Sequence, residues 1–218
     1  EHFDQEFGRL RQRDCRLAAR MVTELNCNWK LVNENLMDVY HFQTLHEDSF
    51  GAHLDGEKFQ IKLTERGGVS AYYEAAPMVP EGKSLFGAMP WLGEENINLG
   101  CMGHLPPNLH IFGRGDAVTP FVIWPVAPGH TQIFVHHLFP EEFHSLPDFR
   151  QKLQFYYDYQ IQIVSEDSDM VEGMQKNMGS RRFVPGPMSK LEETVHNVIN
   201  GYLTHTFGEQ GIGTIVEK

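Results

Sequence analysis

Residues 146–178 read LPDFRQKLQFYYDYQIQIVSEDSDMVEGMQKNM, and their spacing predicts one long helix. On a wheel of about 100° per residue, Phe149, Leu153, Tyr156, Ile163, Val171, Met174 and Met178 fall within about 40° of Asp167. An acid in the middle of an apolar stripe is costly unless it is protonated, paired or bound to a metal. Glu166, Asp169 and Glu172 lie about 100°, 160° and 140° from it, toward solvent. Were a new helix to start at Ser165, the same acids would be an ordinary N-terminal cap favoured by the helix dipole. One continuous helix instead makes Asp167 the candidate ligand.

The fold class follows from what precedes and follows this helix. Residues 15–27, CRLAARMVTELNC, place Leu17, Ala19, Met21, Thr23, Leu25 and Cys27 on alternate positions, the period of a half-buried strand. Residues 29–43 are expected to be helical, and GAHLDG (51–56) breaks that pattern. Six short runs then carry strand texture: EKFQIKLTER, VSAYYEAAPM, NINLGCMG, NLHIFGRG, TPFVIWPV and HTQIFVHHLF. Their connections are too short for parallel crossovers, so about seven strands in one antiparallel sheet are expected. A second amphipathic helix is expected over 188–207. The whole reads as an α+β domain with helices on one face of a curved sheet.

Composition narrows the function. Acidic residues outnumber basic ones 29 to 18, for a net charge of −11, which opposes a broad footprint on nucleic acid or anionic membrane. No apolar stretch approaches the ~20 residues of a membrane span. The three cysteines, Cys15, Cys27 and Cys101, are unevenly spaced, so a reducing cytoplasm is the expected location.

Twelve histidines in 218 residues invite a search for a metal site. Residues 28–46, NWKLVNENLMDVYHFQTLH, carry Asp38, His41 and His46 close together. Glu34, Asp38 and His41 share a helical sector about 60° wide, whereas His46 lies roughly 140° round from His41. Both imidazoles reach one metal only if the helix ends near Gln43-Thr44 or takes a wide turn there. With Asp167 they would form a two-histidine, one-carboxylate set, the donor pattern of non-haem Fe(II) oxygenases. Asp38, one turn before His41, is placed to hold its ring N–H. His110, Phe112, Phe121, Ile123, Phe134, His136, Met170 and Met174 are candidate cavity residues, although each type more often fills a core.

The run Asn28-Trp29-Lys30, Glu34-Asn35, Asp38, Tyr40-His41 and His46 closely resembles the catalytic-domain signature of Rieske-type non-haem iron ring-hydroxylating oxygenases, α subunit. Glu166-Asp167, Glu172 and Gln175 resemble that family's second element. The resemblance covers about residues 14–208 and implies a helix-grip (START/Bet v 1-like) fold, a curved sheet around the long C-terminal helix. It implies that His41, His46 and Asp167 bind mononuclear Fe(II), that Asp38 links this site to a neighbouring subunit's cluster, and that Asn35 stands near the iron. It also implies O2 and a small organic, aromatic substrate, hydroxylated or dihydroxylated. A homotrimer or α3β3 assembly, with no nucleic acid or membrane partner, is implied too.

A Rieske [2Fe–2S] centre needs paired Cys and His residues. CMGH (101–104) has one of the family's two spacings, and neither CRL nor CNW supplies the other. The cluster is therefore expected on a preceding domain or a partner chain. A ferredoxin and a reductase would supply its electrons from NAD(P)H. Residues 1–13 are then expected to be a linker remnant and 14–218 the iron domain. Two rivals are a non-enzymatic helix-grip module that binds an apolar ligand beside a vestigial metal site, and a zinc hydrolase using Glu34 as base.

Overall fold

A computed structural model describes residues 2–54 and 58–208. Strand β1 (Cys15–Leu25) opens a sheet continued by β2 (Gln60–Leu63), β3 (Val69–Glu74), β4 (Leu99–Leu105), β5 (Leu109–Arg114), β6 (Val118–Ala127) and β7 (His130–Pro140). The seven strands lie in the order β1-β7-β6-β5-β4-β3-β2, and every adjacent pair is antiparallel. All seven expected runs are strands. The start of the second run, at Glu57, and the end of GAHLDG lie outside the described residues.

Strand β1 keeps the expected alternation only in its second half. Its register against β7 shifts between Leu17 and Ala19, and a bulge of this kind reverses which residues face the core. Leu17 is 55% exposed as a result, while Ala18 packs with Phe139 and Phe143. Met21 and Leu25 beyond the bulge are buried as expected.

Helix α1 (His2–Phe7) precedes β1, and α2 (Trp29–Met37) follows it. Phe7 and Leu10 are buried with Cys101, Ile111 and Val118. The segment assigned above to a linker thus covers the outer face of β4 and β5. Gly103 makes room for it, because a Cβ there would meet the Phe7 ring at 2.1 Å. Cys101 belongs to this outer layer, whereas His104 stacks against His110 at 4.7 Å. Three residues apart on a strand, they point to opposite faces, so CMGH is ordinary sheet.

The inner face holds α4 (Phe149–Met178), an unbroken helix. Its continuity removes the N-cap reading of Asp167. Phe149, Tyr156, Ile163 and Val171 of the stripe are buried, but Met174 and Met178 are 40% and 42% exposed. The apolar stripe outlasts the sheet that covers it. Helix α5 (Glu193–Phe207) starts later than expected. A 3-10 turn at Lys190–Glu192 precedes it, where the Ser189 N–H donates to the Glu192 carboxylate at 2.6 Å.

Helix α5 meets the β2–β3 turn at two glycines. A Cβ on Gly201 would lie 2.5 Å from the Gly67 Cα and 2.8 Å from the Arg66 carbonyl oxygen, and Gly67 itself has φ +82°. Backbone cannot retreat as a flexible side chain can. Gly201→Ala is therefore expected to destabilise the fold by roughly 1–3 kcal/mol, the usual cost of overpacking, read as a lower denaturant midpoint at unchanged slope.

Candidate metal centre

Asn28 starts α2 by accepting the Lys30 N–H on its side-chain oxygen at 3.1 Å. The helix was expected to reach residue 43 but ends at Met37, and Asp38 is extended (φ −78°, ψ 108°). The cause is Asp38 itself. Its Oδ1 accepts the Tyr40 N–H at 2.8 Å and its Oδ2 faces His41 Nδ1 at 3.2 Å. Such local side-chain bonds compete with the helical ladder. The chain then makes the short helix α3 (Phe42–Leu45), with His41 at its N-cap and His46 at its C-cap. The two rings, awkwardly placed on a regular helix, come to 5.2 Å between centroids.

Asp167 meets both. Its Oδ1 lies 3.5 Å from His41 Nε2 and 3.1 Å from His46 Nε2. One donor atom from each of His41, His46 and Asp167 falls within 4.8 Å of the others, the one such group among the described residues. His46 Nδ1 is also engaged, 2.6 Å from Glu166 Oε2. Both Nδ1 atoms therefore have carboxylates to donate to, so that in the neutral rings a metal would bind each Nε2 lone pair faces Asp167. Asp167 Oδ1 is buried without a well-formed hydrogen bond. Three converging acceptors with their other nitrogens committed fit a divalent cation.

The charges agree. Burial works to raise the Asp167 pKa, but the His41 and His46 imidazoles beside it hold it at about 2. Burial works against a charged His41, but Asp167 and Asp38 outweigh it and lift its pKa to about 9. Without a metal, a proton on His41 offsets the two carboxylates.

Glu166 was placed toward solvent on the wheel, yet it orients His46. Ser49 Oγ donates to its Oε2 at 2.9 Å, and Gln162 Nε2 to its Oε1 at 3.1 Å. The about 100° offset from the stripe turns it sideways, to the loop that carries His46; its adjacency to Asp167 was the available signal. Asp169 is exposed. Glu172 caps the Asn26 N–H at 2.7 Å, and Gln175 accepts the Asn28 N–H at 2.8 Å. Glu34 does not join the cluster: it lies beside Lys30 and Tyr202, and burial lifts its carboxyl to about 7. That leaves the hydrolase reading without its base. Asn35 lies near enough to Asp167 to help keep its carboxylate charged and lines the adjoining cavity.

That cavity reaches His41, His46 and Asp167. Of the expected cavity residues only Phe112 and Phe121 line it. His110 and Ile123 are buried elsewhere in the core, Met170 packs beside Val164 and Val171, and Met174 is exposed. Phe134 and His136 alternate with the buried Ile133, Val135 and His137, so they lie on the outer face. Phe42, Phe50, Tyr73, Arg114, Thr119 and Gln160 line the cavity unforeseen. They come from separate elements, and no sequence period links them.

The sequence matches the family described as ring hydroxylating alpha subunit (catalytic domain) over residues 12–205. No curated protein sequence matches significantly. Among solved structures, a quaternary ammonium Rieske monooxygenase, studied for carnitine oxidation by gut microbiota, superposes with TM-score 0.67 at 20% identity, covering 94% of this chain and 52% of its own. Dicamba monooxygenase gives 0.64 at 16% identity, covering 92% and 63%. Naphthalene 1,2-dioxygenase from Rhodococcus sp. gives 0.60 at 14%, covering 86% and 56%. The chain thus spans roughly half to two thirds of these proteins, and the likeness is one of fold.

Two expectations follow. His41→Ala or Asp167→Ala should abolish tight Fe(II) binding in equilibrium titration, Glu166→Gln should weaken it by about 10–100-fold, and Asp169→Ala should leave it unchanged. The second concerns pH in the metal-free protein. His41 titrates above its ordinary 6.5, so its stabilisation is complete below about 6.5 and is lost as pH rises through about 9. Asp167 titrates below its ordinary 3.8, so its share is present above 3.8 and is lost as pH falls through about 2. Denaturant midpoints should decline between pH 6.5 and 9, while metal affinity climbs over the same range as the competing proton leaves.

Proposed function

The chain belongs to the ring-hydroxylating α-subunit catalytic-domain family, and from that premise we propose that it is the mononuclear iron domain of a Rieske-type oxygenase acting on an organic, aromatic substrate. The observation that carries this reading is the convergence of His41 Nε2, His46 Nε2 and Asp167 Oδ1, with each Nδ1 held by its own carboxylate. In the proposal these three residues hold Fe(II). The bound iron supplies activation of O2, for hydroxylation or dihydroxylation.

The remaining roles belong to the chain itself. Asp38 and Glu166 orient the two imidazoles and raise their basicity as ligands. Asn35 supports the Asp167 carboxylate. Phe42, Phe112 and Phe121 exclude water and stack against the substrate. Asp38 has a second role. Its side chain keeps 22% exposure, so it reaches from His41 to the surface, where a neighbouring subunit's [2Fe–2S] cluster could dock. Asp38 is thus the proposed electron entry, served by a Rieske domain or ferredoxin and an NAD(P)H-dependent reductase. A homotrimer or α3β3 assembly would bring a cluster to that point. No helix among the described residues is long and apolar enough to cross a membrane, and a cytoplasmic site is part of the proposal.

A ligand-binding module with a vestigial site would not keep three donors and two orienting carboxylates. The deciding measurement is iron content of anaerobically purified protein. About one iron per chain in the wild type and none in Asp167→Ala is expected; no iron in either, with Fe(II) supplied, would favour the module. Asp38→Ala, kept in excess Fe(II) to offset the loss of the His41 partner, should hold its iron and lose turnover by about 10–100-fold when assayed with a cluster-bearing partner. Full turnover in that variant would remove Asp38 from electron entry.

A further inference from the structure

Arg114 ends β5 on the inner face, two residues after Phe112, and its side chain lines the cavity that reaches the metal-binding cluster. The residue is only 6% exposed. A guanidinium stays charged in any protein interior, so its partners matter. One N–H donates to the Ala76 carbonyl at 3.3 Å. The Phe50 and Tyr73 rings lie 5.9 and 5.8 Å from its central carbon. Among the described residues, no carboxylate is in ion-pair contact with it. Asp116 feels its charge, but burial raises that carboxyl, and the Tyr156 hydroxyl donates to its Oδ2.

A buried cation without a paired anion is rare because its lost hydration goes uncompensated. Aromatic faces soften that cost without neutralising the charge. Here the cation lines a cavity, so a ligand can complete it. We propose that Arg114 anchors a carboxylate on the substrate, and that the cavity therefore takes a monoanionic organic acid. The apolar body rests on Phe42, Phe112 and Phe121, with its far end toward His41, His46 and Asp167. The guanidinium fork matches a planar carboxylate with two parallel hydrogen bonds. The Thr119 hydroxyl and Gln160 amide line the same cavity and can add donors. Among the described residues no other Lys or Arg lines it, so one negative charge is balanced and a phosphate dianion is not.

This assignment names the substrate class of the proposed oxygenase and rests on that reading only for turnover; binding tests it separately. Anaerobic Fe(II)-loaded protein would be titrated calorimetrically with benzoate, phenylacetate and hexanoate, each beside its own neutral carboxamide. At least one acid should bind about tenfold or more tighter than its amide, the scale of a charged hydrogen bond. Arg114→Gln should bring that ratio near one, and Arg114→Lys should keep part of it. The preference should also survive in metal-free Asp167→Ala protein, which separates guanidinium recognition from ligation to iron. Equal binding of every acid and amide, no binding of any acid, or a preference that persists in Arg114→Gln or vanishes with the metal would each overturn the assignment. Failure of the oxygenase reading would appear instead as absent iron or absent O2 consumption with the acid preference intact.

Discussion

An ionised carboxylate stands in the apolar face of a 30-residue helix, and the rest of the site exists around that fact. The Asp167 side chain keeps 15% exposure. Burial alone would favour its neutral form. Two imidazoles and an amide hold it charged instead. The arrangement satisfies a carboxylate only in part, leaving three acceptor atoms turned toward one another, and a cation is the species that completes it.

The geometry depends on contacts far apart in sequence. Glu172 and Gln175 hold the backbone N–H groups of Asn26 and Asn28, which fixes the C-terminal part of α4 against the start of α2. About one to two and a half turns back along α4, the adjacent Asp167 and Glu166 then face the segment that follows α2. Asp38 interrupts that segment with its own hydrogen bonds, and the break brings His41 and His46 to the same side. A continued helix would have separated them. The same acid that ends the helix also orients an imidazole, so a local conformational device and an electronic one are a single residue.

The cavity is composed differently. Its walls come from α2 and α3, from β3, β5 and β6 and from the inner face of α4, joined by the curvature of the sheet. Tyr73 and Arg114 lie on either side of Gly100 across β3, β4 and β5. A Cβ on Gly100 would meet the Tyr73 ring at 2.6 Å, so the absent side chain leaves space for the ring. The Arg114 guanidinium, set beside the Phe50 and Tyr73 rings, then gives the cavity a polarity of its own.

The seven strands, the long helix and the central place of Asp167 were legible in the sequence, because each is a local period in which a residue's face follows from its spacing. The two histidines were legible as residues and as part of a resemblance, but their meeting at one point was not, since it required the helix to stop at Met37. Local competition between Asp38 and the backbone decided that. The bulge in β1, which turned Leu17 outward, and the exposure of Met174 and Met178 are likewise set by where a neighbouring element begins or ends. Glu166 is the sharpest case. The wheel gives the angle of a side chain about its own helix, whereas the loop that arrives at that angle is a property of the folded chain. The cavity walls belong with it: Phe50, Tyr73, Arg114 and Gln160 share no period, and only the closing of the sheet over α4 brings them to one space.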